Sequence, residues 1–203
     1  MAPSVCIYLD LSNIFLNARR VAERREGLAA VDDVRIHFRS LVRLASAERD
    51  VLQAVCVGSS RGDIEPVLEH VRAAGVEPEI YERGSDSGKE QAVDQGLQVH
   101  MLRAALDVEA PGVAVLLTGD GAGYMEGVGF YADLERMYKR GWGVELVAWD
   151  RFCNRYLREW IEEHGVYIKL EDWYKNVTFR EGGERVVQPF SLDRRPLAVP
   201  RNA

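Results

Sequence analysis

Short apolar runs alternating with longer helical patterns constrain this chain more than any other feature. Val5 to Leu9, Val51 to Val57, Pro78 to Tyr81, Val113 to Leu117 and Val144 to Ala148 are each rich in β-branched or aliphatic residues and read as buried strands. Helical patterning fills the gaps, over about Ser12 to Glu26, Asp33 to Ser46 with Asp32 or Asp33 as cap, Ile64 to Ala74, Glu90 to Leu106, Phe130 to Lys139 and Arg151 to His164. Such a strand–helix repeat predicts a mainly parallel sheet covered by helices on both faces. Val166 to Leu170 adds a further candidate strand. Val177 to Val187 reads as a hairpin around Gly182-Gly183, and the end, with Pro189, Pro196 and Pro200, as a loosely ordered tail.

The 203 residues, 47% hydrophobic, suffice for one well-cored domain, and no break in composition argues for two. The expected division is a domain over 1–175 followed by a C-terminal hairpin and basic, Pro-containing tail over 176–203. A formal charge of −6 argues against a protein that coats nucleic acid nonspecifically but leaves room for a local basic patch. Cys6, Cys56 and Cys153 have no CxxC spacing, so buried reduced thiols are expected instead of a disulfide framework or zinc site. With no membrane-length apolar run and no signal-peptide pattern, the expected location is cytoplasmic.

Three aspartates lie where a strand ends or a helix begins: Asp10 after Val5 to Leu9, Asp94 after Lys89-Glu90-Gln91-Ala92-Val93, and Asp120 after Val113 to Gly119. In an open parallel sheet the carboxyl ends of the strands line one crevice, so acids from distant segments can converge there. Converging carboxylates repel one another, and a hard divalent cation, Mg²⁺ or Mn²⁺, is the usual remedy.

Val5 to Asn13, Val55-Cys56-Val57-Gly58-Ser59, Lys89 to Asp94 and Leu116-Leu117-Thr118-Gly119-Asp120, in this order, resemble the NYN domain of the PIN-like ribonuclease group, over roughly residues 4 to 174. The resemblance implies a Rossmann-like three-layer α/β/α sandwich and an acidic Mg²⁺ or Mn²⁺ site at the strand C-termini. It also implies hydrolysis of RNA, single-stranded for preference, by a metal-activated water. Carried onto this chain, it makes Asp10, Asp94 and Asp120 metal ligands and places Asn13, in the DxxN pattern, with them as catalytic.

Each position also has a plain structural reading. Ser12 and Asn13 suit helix caps, and Ser12 is open to capping or to substrate contact. Asp94 sits where a negative charge favours a helix start. Lys89 is a phosphate-binding candidate or a solvated loop lysine. Asp120 is the strongest candidate, because Gly119 reads as a tight turn that delivers its carboxylate to the sheet edge. The departure comes at Ala122, where the family places a second aspartate. In its absence Asp133 or Glu126 is the candidate fourth acid.

Arg151, Arg155 and Arg158 recur at helical spacing, but Arg155 with Glu159 and Arg158 with Glu162 form i,i+4 pairs that mark a solvated face. Five arginines against three acids make the tail basic. Trp142, Trp149, Trp160 and Trp173 read as core or interface anchors, and the aromatic content raises the prospect of a homodimer without locating its interface. Two rivals stand beside the ribonuclease expectation. One is a catalytically silent NYN module that binds RNA or a protein partner. The other is a haloacid dehalogenase-type phosphatase, disfavoured because no acid stands two residues after Asp10 and Lys89 precedes the Thr118 strand.

Overall fold

The computed structural model describes residues 2–60, 64–82, 89–122 and 127–201, and the side chains of 60, 82 and 89–94 lie outside that description. In chain order the elements are β1 (Val5–Asp10), α1 (Leu11–Glu26), β2 (Val34–Ile36), α2 (Phe38–Ser46), β3 (Val51–Ser60), α3 (Glu65–Ala73), β4 (Glu77–Glu82) and α4 (Lys89–Asp107). They continue with β5 (Val113–Leu117), α5 (Gly129–Lys139), β6 (Gly143–Ala148), α6 (Arg155–His164), β7 (Val166–Lys169), α7 (Tyr174–Val177) and β8 (Thr178–Arg180).

Six strands form one all-parallel sheet in the order β4-β3-β1-β5-β6-β7. Alternation along β1 explains why both faces are covered. Val5, Ile7 and Leu9 join a core with Ile14, Leu41, Leu44 and Val71 from α1, α2 and α3. Cys6 and Tyr8 point the other way, into a core with Leu97, Met101, Leu134 and Leu157 from α4, α5 and α6. The result is the three-layer α/β/α architecture expected from the strand–helix repeat. Apolar burial supplies most of its drive, since both central strands β1 and β5 are buried along their whole length.

Three local expectations need correction. The helix expected from Asp33 begins only at Phe38, capped by His37, whose ring nitrogen accepts from the Ser40 amide. Val34 to Ile36 instead pair antiparallel with Thr178 to Arg180, giving a second, two-stranded sheet. Residues 178–187 therefore spend most of their ladder on β2, and only the Arg180–Arg185 bridge survives from the hairpin around Gly182-Gly183. The helix expected from Arg151 starts at Arg155, because Asn154 Oδ1 accepts from the Tyr156 and Leu157 amides at 3.0 and 3.1 Å.

The tail is docked, not loose. Glu145, fully buried on β6, receives both Arg49 nitrogens at 2.8 Å, Arg195 at 2.5 Å and the Ala198 amide at 2.8 Å. Burial alone would raise the Glu145 pKa, but its hydrogen bonds and charges from Arg49 and Arg195 outweigh it and hold the carboxyl below the ordinary range. Two further tail arginines are spent internally, Arg180 on Asp33 and Glu184 and Arg185 on Glu26. This consumes much of the positive charge that the tail carries on paper.

Cys6 and Cys56 are buried, Cys153 is partly buried, and all three are free thiols. Trp142 and Trp149 are core residues at 1% exposure. No helix among the described residues is long and apolar enough to cross a membrane.

Candidate acidic site at the strand C-termini

The sheet order places a topological switch between β1 and β5. From β1 the chain moves outward to β3 and β4, then returns to β5 and moves outward the other way to β6 and β7. Helices α1 and α5 leave these two strands toward opposite faces, which opens a crevice at their carboxyl ends. Asp10 ends β1. Leu117 of β5 lies opposite Leu9, so Thr118 stands across from Asp10 and Asp120 just beyond it.

Hydrogen bonds lock this corner. Asp10 Oδ1 accepts from the Asn13 amide at 3.0 Å, which makes Asp10, and not Ser12 or Asn13, the N-cap of α1. Asp10 Oδ2 accepts from the Thr118 hydroxyl at 3.0 Å, and that hydroxyl in turn accepts from the Asp120 amide at 3.2 Å. Asn13 Oδ1 accepts from the Gly119 amide at 2.9 Å and from Asn17 at 3.2 Å. Asp120 Oδ1 accepts from the Ala122 amide at 2.9 Å. Asp10, Asn13 and Asp120 are thus brought together, with Thr118 as the link that sequence reasoning missed. Its signal was a hydroxyl closing an otherwise apolar strand.

Asp10 is 7% exposed. Burial pushes its pKa up to about 6, opposed by the hydrogen bonds from Asn13 and Thr118 and reinforced by the negative charge of Asp120. Neither Asp10 nor Asp120 has a lysine, arginine or histidine in salt-bridge contact among the described residues. Two clustered carboxylates without a cationic partner make a donor set of hard oxygens, which suits Mg²⁺ or Mn²⁺ better than a soft metal. Among the described residues no group of three or more His, Cys, Asp or Glu gathers to hold an ion.

The remaining candidates divide. Asp94 lies on α4, which packs over β3, β4 and β1, but its side chain and that of Lys89 are outside the described residues, as is Glu126. Asp133 does not join the pair. It is 1% exposed on α5, its Oδ1 accepts from Arg136 at 2.6 Å, and its pKa, raised by burial, is opposed by Arg136 alone. Ser12 Oγ accepts from the Ser59 amide at 3.4 Å, tying the end of β3 to the first turn of α1. Ala122 is exposed and brings no ligand.

Gly119 is needed for a reason other than a tight turn. A Cβ there would lie 2.7 Å from the Phe152 carbonyl oxygen and 3.1 Å from Cys153 Cα. The Asn154 amide donates to the Gly119 carbonyl at 2.8 Å, so the segment after β6 is clamped onto the acidic loop. Of the basic helix face, Arg155 pairs with Glu159 as expected, whereas Arg158 turns to Asp150 at 3.2 Å instead of Glu162. Asp150 is better placed because Tyr167 and Lys169 already hold it on the adjacent strand.

A cleft of about 680 Å³ lies elsewhere, between β7, α7 and the tail, and neither Asp10, Ser12, Asn13, Thr118 nor Asp120 lines it. In comparisons with known proteins, no family model matches this sequence and no curated protein matches it.

Proposed function

We propose that the protein is a metal-dependent ribonuclease of the NYN type that hydrolyses phosphodiester bonds in single-stranded RNA. The observation that carries this reading is the pairing of Asp10 with Asp120 across the β1–β5 switch point, with no cation from the described residues to neutralise them. Asp10 and Asp120 would hold Mg²⁺ or Mn²⁺, joined by Asp94 if the resemblance carries over. A bound ion of this kind lowers the pKa of a coordinated water and neutralises charge building on the phosphate.

The chain's own residues do the positioning. Thr118 and the Asn13 amide fix the two oxygens of Asp10, so its carboxylate cannot swing away when the crevice fills. Asn13, with Oδ1 already engaged by Gly119, keeps its Nδ2 as a donor for a phosphate oxygen. Burial around Asp10 keeps water out of one side of the site and strengthens the local field. Three free thiols fit a reducing compartment such as the cytoplasm.

The test is cleavage of end-labelled single-stranded RNA with Mn²⁺, with EDTA as control. Cleavage that is lost in EDTA and in Asp10→Asn and Asp120→Asn supports the reading. Undiminished cleavage in both variants rejects it. A second reading, a silent module that binds RNA without cutting it, is favoured by one observation: Ala122 contributes only its amide to Asp120, where the family pattern has another acid. RNA binding without metal-dependent cleavage would select that reading.

A further inference from the structure

A polar stripe runs down α1 away from the acidic pair. Asn13, Asn17, Arg20 and Arg24 recur at helical spacing, and the first three are chained: Asn17 Nδ2 donates to Asn13 Oδ1, and Arg20 donates to Asn17 Oδ1 at 3.2 Å. From Asn13 to Arg24 the stripe is about 16 Å long at the α-helical rise. The guanidinium groups of Arg20 and Arg24 both lie over the ring of Phe152, at 5.5 and 5.8 Å from its centroid.

Phe152 belongs to the same segment whose backbone packs on Gly119, so the aromatic ring and the acidic loop are held by one another. Arg20 and Arg24 are exposed, and among the described residues neither has a carboxylate partner. Arg19 pairs with Asp32, Arg155 with Glu159, Arg158 with Asp150 and Arg185 with Glu26, whereas Arg25 lies over the ring of Tyr174. Arg20 and Arg24 are therefore two cations without a carboxylate partner held against one ring, on a protein of net charge −6. A guanidinium within about 6 Å of an aromatic centroid is attracted by the ring and still has N–H donors for an oxyanion.

We infer that Arg20, Arg24 and Phe152, with buried Asn17 anchoring Arg20, form a track that binds the sugar–phosphate backbone of single-stranded RNA as it leaves the Asp10–Asp120 site. The choice of RNA rests on the ribonuclease reading, while the track itself rests on the unpaired arginines and their aromatic support. A positively charged groove with an aromatic platform is the usual means of holding single strands without reading their sequence. The stripe starts at Asn13, so a strand seated on it is delivered to the acidic pair.

The test measures binding of a fluorescein-labelled single-stranded RNA of about twelve nucleotides by anisotropy in EDTA, where cleavage cannot interfere. Arg20→Ala with Arg24→Ala should weaken binding roughly tenfold, and removing two phosphate contacts should make the salt slope shallower by about 1.4. Arg20→Lys with Arg24→Lys should fall between, keeping charge and losing the planar five-donor fork. Thermal unfolding of each variant establishes that the fold is kept.

Wild-type affinity and salt slope in the alanine pair would overturn the track, as would failure of the wild type to bind RNA. An equal loss on double-stranded RNA would overturn the single-strand assignment. Loss of binding in the alanine pair without any cleavage by the wild type would keep the track and remove the ribonuclease reading. Cleavage with unaltered binding in the alanine pair would do the reverse.

Discussion

The hydroxyl of Thr118 donates to Oδ2 of Asp10 across 3.0 Å and 108 positions of sequence. That bond closes the corner between β1 and β5, and the same hydroxyl accepts from the Asp120 amide, so the residue whose negative charge raises the Asp10 pKa is tied to the same corner. A buried acid at a helix start would ordinarily be favoured as a carboxylate by the positive end of the helix. Here burial and Asp120 win, and the Asp10 pKa stands at about 6 against an ordinary 3.8.

The sign of the pH dependence follows from that shift. The folded protein binds the Asp10 proton more tightly than the unfolded chain does, so Asp10 costs nothing below about pH 4. The cost grows between the two pKa values and is complete above about 6, where it reaches roughly 3 kcal/mol. Asp10→Asn removes this cost and replaces one acceptor oxygen by an NH2 donor, so the hydrogen bond that Thr118 now donates is lost or reversed. The metal-free variant should therefore be more stable than wild type by about 1–2 kcal/mol at pH 7.5 and no more stable at pH 4. Urea unfolding at both pH values checks this, and a variant less stable at pH 7.5 would show that Asp10 is mainly a structural cap.

Glu145 should behave in the opposite sense. Its folded pKa lies below the ordinary 4.5, so its contribution is present above that value and is lost as pH falls through the depressed one. Glu145→Gln leaves Arg49 and Arg195, at 6% and 5% exposure, without their counter-charge. The expected loss is about 3–5 kcal/mol at pH 7, read as a lower urea midpoint. Earlier cleavage of residues 190–201 by a protease should accompany it.

Much of the architecture was legible because the parallel strands are buried on both faces and so read as unbroken apolar runs. Strand β2 was not, since Val34 to Ile36 take their identity from Thr178 to Arg180, a partner that local patterning cannot reveal. At the site, Asp10 and Asp120 were legible as acids closing strands. Thr118 and Asn154 were not, because their roles depend on which strand ends become neighbours in space. The tail was misread for the same reason: Arg195 looks solvated until Glu145 is known to lie beneath it.

Ala122 supplies the next test. Its amide is already bonded to Asp120 Oδ1, so a carboxylate at this position would be attached next to the existing pair. Ala122→Asp should tighten Mn²⁺ binding about tenfold, because hard-cation affinity rises with the number of charged oxygen ligands. Calorimetric titration of wild type and variant measures the ratio. Equal affinities would mean that the loop after Asp120 faces away from the ion.

The central claim is that Asp10 and Asp120 share one ion, and anomalous diffraction from Mn²⁺-soaked crystals asks this directly. The predicted result is a Mn²⁺ peak within about 2.2 Å of an oxygen of each carboxylate, absent from crystals of Asp120→Asn. A Mn²⁺ peak bound elsewhere, with Asp10 still held only by Asn13 and Thr118 at saturating Mn²⁺, would contradict it.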